Sequence, residues 1–271
     1  MMRVANLARR AVRLGVVLAA VWMLAHPAAG QTPGGSPRGE PQAGKGVAPA
    51  SRPWFDPAIP ANLGEPLVEE PGGLQRLDPL SPVWIDKKHK QIILIGSVCR
   101  ADYPLEFFAT YPDRGYESVV VVYTRPSVVH AGLLALGAKP GSGARYKPKF
   151  APASGTAVEI DVCWKDRDGK RHKARAQDWV RDIKTRKPLE VTWVFAGSVF
   201  WADKSSGAKS YLADRGDFIS VASLPTAMLD LPVESDTALE SRSFEGFVER
   251  LPPPGTPVTL VLRPQLAATR H

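Results

Sequence analysis

The chain has 271 residues and carries 35 Lys and Arg against 27 Asp and Glu, a net charge of +8. Four of those positive charges, Arg3, Arg9, Arg10 and Arg13, fall in the first thirty residues with no acid among them, so the remainder carries about +4, spread along its length. That balance is too weak for a nucleic-acid surface, and two cysteines without a Cys-x-x-Cys pair argue against a cysteine-based zinc module.

Residues 1–30, "MMRVANLARRAVRLGVVLAAVWMLAHPAAG", read as a signal peptide. An arginine-rich leader precedes an apolar run from Leu14 to Ala25, and Ala28 and Gly30 occupy the −3 and −1 places for a cut before Gln31. The run is shorter than a spanning helix requires. Export to the periplasm or the medium is therefore expected, with no membrane span once the leader is removed and no nucleic-acid partner. Residues 31–52, rich in Pro, Gly, Ala and Ser, cannot bury enough apolar surface to offset their ordering entropy and read as a disordered tether. Residues 53–271 are long enough for one sizeable core.

Within that domain, "VWID" and "QIILIGSV" read as a hairpin about the solvated turn "KKHK", which leaves His89 exposed. "ESVVVVYT" is a buried-strand signal. "RPSVVHAGLLALGAKPG" follows as a helix, with Thr124 as a cap, Pro126 in the first turn and Gly137 as the stop. "TAVEIDVCWKDRDGKRHKARAQDWV" reads as a second hairpin with a short helical turn at 176–180. "VTWVFAGSVFWAD" and "DFISVAS" read as strands, "PTAMLDLP" as a tight helical turn between prolines, and "FEGFVERLPPPGTPVTLVLRP" as two last strands. Strands dominate without a βαβ rhythm. The expected fold is α+β, a single domain with a mainly antiparallel or mixed sheet and one or two packed helices.

Chemistry-bearing patterns are sparse. His89, His130, His172 and His271 form no HxH or HExxH pair, so no metal is expected. "DRDGK" lacks the later ligands of a calcium loop and fits a hairpin turn better. "RGD" at 215–217 is a turn tripeptide. No GxSxG elbow is present, and Ser198 in "AGSVF" falls inside an apparent strand. On a helical wheel Val129, Leu133 and Leu136 share one face and His130 lies at its edge, which suits a structural histidine better than a cleft-lining one. Trp193, Phe195, Gly197, Val199 and Trp201 share one parity, a core stripe or a stacking platform. Cys99 and Cys163 read as two separately buried thiols, with a disulfide as the alternative.

The stretch "PLEFFATYPDRGYESVVVVYTRPSVVHAGLLALGAKPG" resembles the YdjY-domain family of exported bacterial proteins. The likeness continues through "AQDWV", "WVFAGSVFW", "GDFISVAS", "PTAMLDLPVES" and "GTPVTLVLRP", so residues 53–271 are taken as a YdjY-like domain. The resemblance implies a family-specific envelope domain with no established reaction. Cys99, Glu117 and His130 match the family pattern, whereas Thr110 and Ser220 stand where relatives often have cysteine and Tyr116 where they have histidine. A metal or thiol site built on those positions would be incomplete in this chain. The function expected is therefore non-catalytic, with no cofactor: a domain that binds an envelope protein or a small ligand. Its candidate cleft lies near the 125–137 helix, lined by Glu117, Arg125 and His130. The alternatives are a hydrolase using His130 as base and a purely structural scaffold.

Overall fold

The β-branched runs QIILIGSV, SVVVV, AVEIDVCWK and PVTLVLRP each form a strand, as their composition favours. The computed structural model describes residues 59–266 apart from 203, 205, 239 and 240, all within one unit, Pro49–His271. The leader at 1–30 and the tether at 31–52 lie outside the described residues.

Eight strands form a closed ring: β1 (Gln91–Val98), β2 (Phe107–Thr110), β3 (Ser118–Val122), β4 (Ala157–Lys165), β5 (Trp193–Phe195), β6 (Ile219–Ser220), β7 (Leu229–Asp230) and β8 (Pro257–Pro264). Their order around the ring is β1-β8-β4-β5-β7-β6-β2-β3, and β3 returns to β1. Only β6–β7 and β2–β3 are parallel pairs. The closing seam is antiparallel, Gly96–Val98 against Val120–Val122. At that seam a Cβ on Gly96 would sit 2.3 Å from the Val121 carbonyl oxygen, so the strands meet only because residue 96 has no side chain.

This closed β-barrel overturns the α+β expectation. The sheet buries its inner apolar face against itself, and among the described residues no helical layer covers it. One α-helix is found among the described residues, α1 (Pro126–Ala135), and it contributes Val129 and Leu133 to the barrel core rather than forming a second layer. The inward row is read directly from alternation: Leu94 on β1, Ile160 on β4 and Leu260 on β8 are all buried. "PTAMLDLP" is also corrected. Leu229 and Asp230 form β7, paired with β5 on one side and with Ile219 on the other.

Two further strands pair directly with the ring, and a third, Gln75–Arg76, pairs with the first of them. Val83–Asp86 pairs with β1 in the expected hairpin, and Arg171–Arg175 pairs with β4, also as expected. The opposite parity of β1 and β8 faces outward, where Ile93, Ile95 and Val261 join Trp84 in a second apolar cluster. A strap formed by residues 61–70 closes over this cluster with Leu63 and Val68, and the Leu67 amide donates to Thr259 Oγ1 at 2.9 Å. Burying two such aliphatic side chains contributes ~3–5 kcal/mol together. The exposed Lys88–Glu70 pair adds little beside that.

Candidate functional site

The expected cleft residues sit in three different environments. His130 projects from the middle of α1 into a pocket of aromatic rings, with Phe195 at 4.8 Å and Phe200 at 6.0 Å between centroids. Its Nδ1 lies 2.8 Å from Tyr211 Oη, whose hydroxyl donates to the Gly197 carbonyl at 3.1 Å. With that hydrogen committed, the imidazole is the donor from Nδ1. Burial depresses its pKa, only partly offset by Asp214, so the ring is neutral.

The helix is capped from a distance. Asp214 accepts the Ser127 amide at 2.8 Å and the Ser127 hydroxyl at 2.7 Å. Thr124, the expected cap, instead keeps a buried hydroxyl without a hydrogen-bond partner among the described residues. Arg125 occupies the N-cap position with an exposed side chain. The helix ends through hydrogen bonds from Gly137 N to Leu134 O and from Ala138 N to Leu133 O.

Glu117 belongs to a buried ionic network. Arg114 donates to Glu106, Glu117 and Asp217, each at 3.0 Å, and Arg242 reaches Glu106 at 3.2 Å and Glu117 at 3.0 Å. Burial, then the hydrogen bond and charge of Glu117, push the Glu106 carboxyl up to about 7 against the pull of both arginines. Burial opposes ionisation at Glu117 as well, but the Glu106 hydrogen bond and the two guanidinium groups outweigh it and hold Glu117 below the usual range. The two carboxyls titrate as a pair that holds one proton below about 7. Among the described residues no hydrogen bond joins Glu117, Arg125 and His130 to one another.

The other family positions are also dispersed. Thr110 is buried and donates to the Gly216 carbonyl, Ser220 is buried and donates to backbone carbonyls of Glu106 and Ala222, and Tyr116 is exposed. The cysteines are unpaired and half-buried. Burial raises both thiols, Cys99 to about 12. The aromatic row splits in two. Trp193 and Phe195 are core, but the chain turns at Gly197 (φ +85°) and Ser198 (φ +54°), and Val199, Phe200 and Trp201 emerge exposed. Ser198 Oγ donates to the Thr226 carbonyl and accepts the Ala213 amide, a structural role.

A concavity lies elsewhere. A cleft of about 520 Å³ lies on the outer wall, between strap residues 67–70 and the outward residues of β8, β4 and the Arg171–Arg175 strand. Such a volume falls in the range of small-molecule sites, about 300–1,000 Å³. Val261, Val68 and Leu67 give it apolar surface, and Cys163 opens into it. Asp161 is fixed there by Lys173 at 2.7 Å and by Arg263. A second cavity of about 240 Å³ shares Leu67 as a wall and is bordered by Glu65 and Lys165.

None of Glu117, Arg125 or His130 borders either cavity. The strap carries no motif that marks it in the sequence. The opposite wall does: Lys165, Arg171, Lys173 and Arg175 have one parity about the "DRDG" turn and so share one face of the hairpin, a signal hidden when the charge run is taken as mere solvation.

No curated protein and no solved structure matches the chain. Residues 83–263, well over half of the sequence, match the YdjY domain, and the chain belongs to the YdjY-domain family.

Proposed function

We propose that this chain is an exported, tethered, non-catalytic binding module whose ligand face is the outer-wall cleft. The observation that carries the reading is the cleft itself: apolar surface with polar residues around it, between the strap and the outer face of the sheet. The reactive candidates support binding over hydrolysis. His130 is enclosed by aromatic rings and hydrogen-bonded to Tyr211, Glu117 is held by two arginines, and burial keeps both thiols protonated. The basic leader and the Pro/Gly-rich segment after it support export and tethering to the envelope.

Alkylation of Cys163 in the Cys99→Ser protein, followed by mass spectrometry, reads occupancy of the cleft. Small-molecule fractions of a periplasmic extract are expected to contain one that slows alkylation at least threefold. Cys163→Phe, which fills the floor, is expected to abolish binding of that fraction. Alkylation unchanged by every fraction overturns the assignment of the cleft.

A further inference from the structure

The cleft and its smaller neighbour are bordered by two walls of opposite charge that do not meet. On the strap side stand Glu65 and Glu69, both exposed. On the sheet side stand Lys165 and Arg171, also exposed, and directly opposite each other across the β4 hairpin. Like charges on one antiparallel rung repel, and a sheet keeps such a rung at a cost unless an anion relieves it. The neighbouring charges are already satisfied internally: Asp161 by Lys173 and Arg263, and Glu70 by Lys88. Among the described residues, no ion pair links Glu65 or Glu69 to Lys165 or Arg171. Between the walls lies the apolar surface of Leu67, Val68 and Val261.

From this juxtaposition we infer that the trough takes a zwitterionic ligand of the amino-acid or short-peptide class, its carboxylate on Lys165 and Arg171, its ammonium on Glu69, and its aliphatic body on Val261. The inference rests on the cleft being the ligand face. A neutral or singly charged ligand would leave one wall uncompensated, whereas a zwitterion with an apolar middle satisfies both walls and the floor.

The test uses the full chain and the peptide Ala-Leu-Leu with free termini, with its N-acetyl and C-amide forms, by calorimetry. The free peptide is expected to bind at least tenfold more tightly than either blocked form. Arg171→Ala combined with Lys165→Ala is expected to remove the preference for a free carboxylate, and Glu69→Gln the preference for a free amine. These exposed substitutions leave the core intact, and circular dichroism checks it. Equal affinity for free and blocked forms, or no binding of any form, overturns the zwitterion assignment. Protection of Cys163 by some other compound then tells the two failures apart: with protection the cleft stands and only the ligand class falls, and without it the cleft falls too.

Discussion

Nδ1 of His130 and Oη of Tyr211 are 2.8 Å apart inside a shell of aromatic rings, which joins α1 to the segment that leads into its own capping residue, Asp214. His130→Ala removes a buried ring and the hydrogen bond to Tyr211 Oη, whose hydroxyl keeps the Gly197 carbonyl, so a loss of about 2–3 kcal/mol in urea unfolding is expected. Because burial lowers the histidine's pKa, the unfolded chain takes up a proton first as pH falls below about 6.5. The histidine's contribution is therefore present at neutral pH and drains away on acidification. Relative to the parent, His130→Leu is expected to lose only the histidine's share of the fall in stability on acidification from pH 7 to 5. If His130 instead serves as a base, activity on ester or peptide panels disappears in His130→Ala at temperatures where the variant remains folded.

The Glu106–Glu117 pair gives the opposite slope. Glu106 ionises at about 7 in the folded chain against 4.5 ordinarily. Its contribution is complete below 4.5 and is lost as pH rises from there through 7. Glu117 is held below its ordinary value, so its contribution is lost only on further acidification. Glu106→Gln, which keeps the neutral shape, is expected to make the decline between pH 4.5 and 7 in thermal unfolding shallower than in the parent. Arg242→Met leaves Arg114 alone against both carboxyls and is expected to cost about 3 kcal/mol at pH 7.

Asp230 provides a separate titration. It is fully buried on β7 and accepts only the Leu231 and Leu224 amides, at 2.8 and 3.2 Å, among the described residues. Burial pushes it up to about 8 in spite of those bonds. Stability is accordingly expected to fall between pH 4 and 8. Asp230→Asn is expected to unfold on the order of 3 kcal/mol less readily than the parent at pH 9, and to lie within about 1 kcal/mol of it at pH 4. A variant weaker than the parent at pH 9 would show that the carboxylate is the native form.

The local elements were legible because their determinants are local. Both long hairpins follow from β-branched runs around charged turns, and α1 from Pro126 and the apolar spacing behind it. Closure was not legible, because it depends on pairings such as Gly96 with Val122 and on staves of two residues, too short to carry a period. Leu229–Asp230 sits between prolines and is a strand only because Phe195 and Ile219 offer it edges. The apparent Trp193–Trp201 stripe failed for a local reason that alternation does not encode, the positive φ at Gly197 and Ser198. The cleft was hidden because one wall, Leu67–Glu70, is near the other, Asp161, Cys163 and Arg171–Lys173, only after the barrel forms.

The stretches "IGSV" at 95–98 and "AGSV" at 196–199 are alike in sequence, yet their glycines do different work. Gly197 turns the chain at φ +85°, whereas Gly96 is an in-strand residue whose missing Cβ admits the Val121 carbonyl. Alanine at 96 meets backbone at 2.3 Å and the Val120 and Val122 methyls at 3.0 and 3.1 Å, none of which can move without opening the seam. Gly96→Ala is therefore expected to cost more than the ~1–3 kcal/mol of ordinary overpacking. Hydrogen exchange is expected to rise first at Val120–Val122 and Gly96–Val98, ahead of the β8–β4 pairing. Uniform exchange across all staves would mean that the barrel opens only as a whole and that the seam is no weaker than the rest.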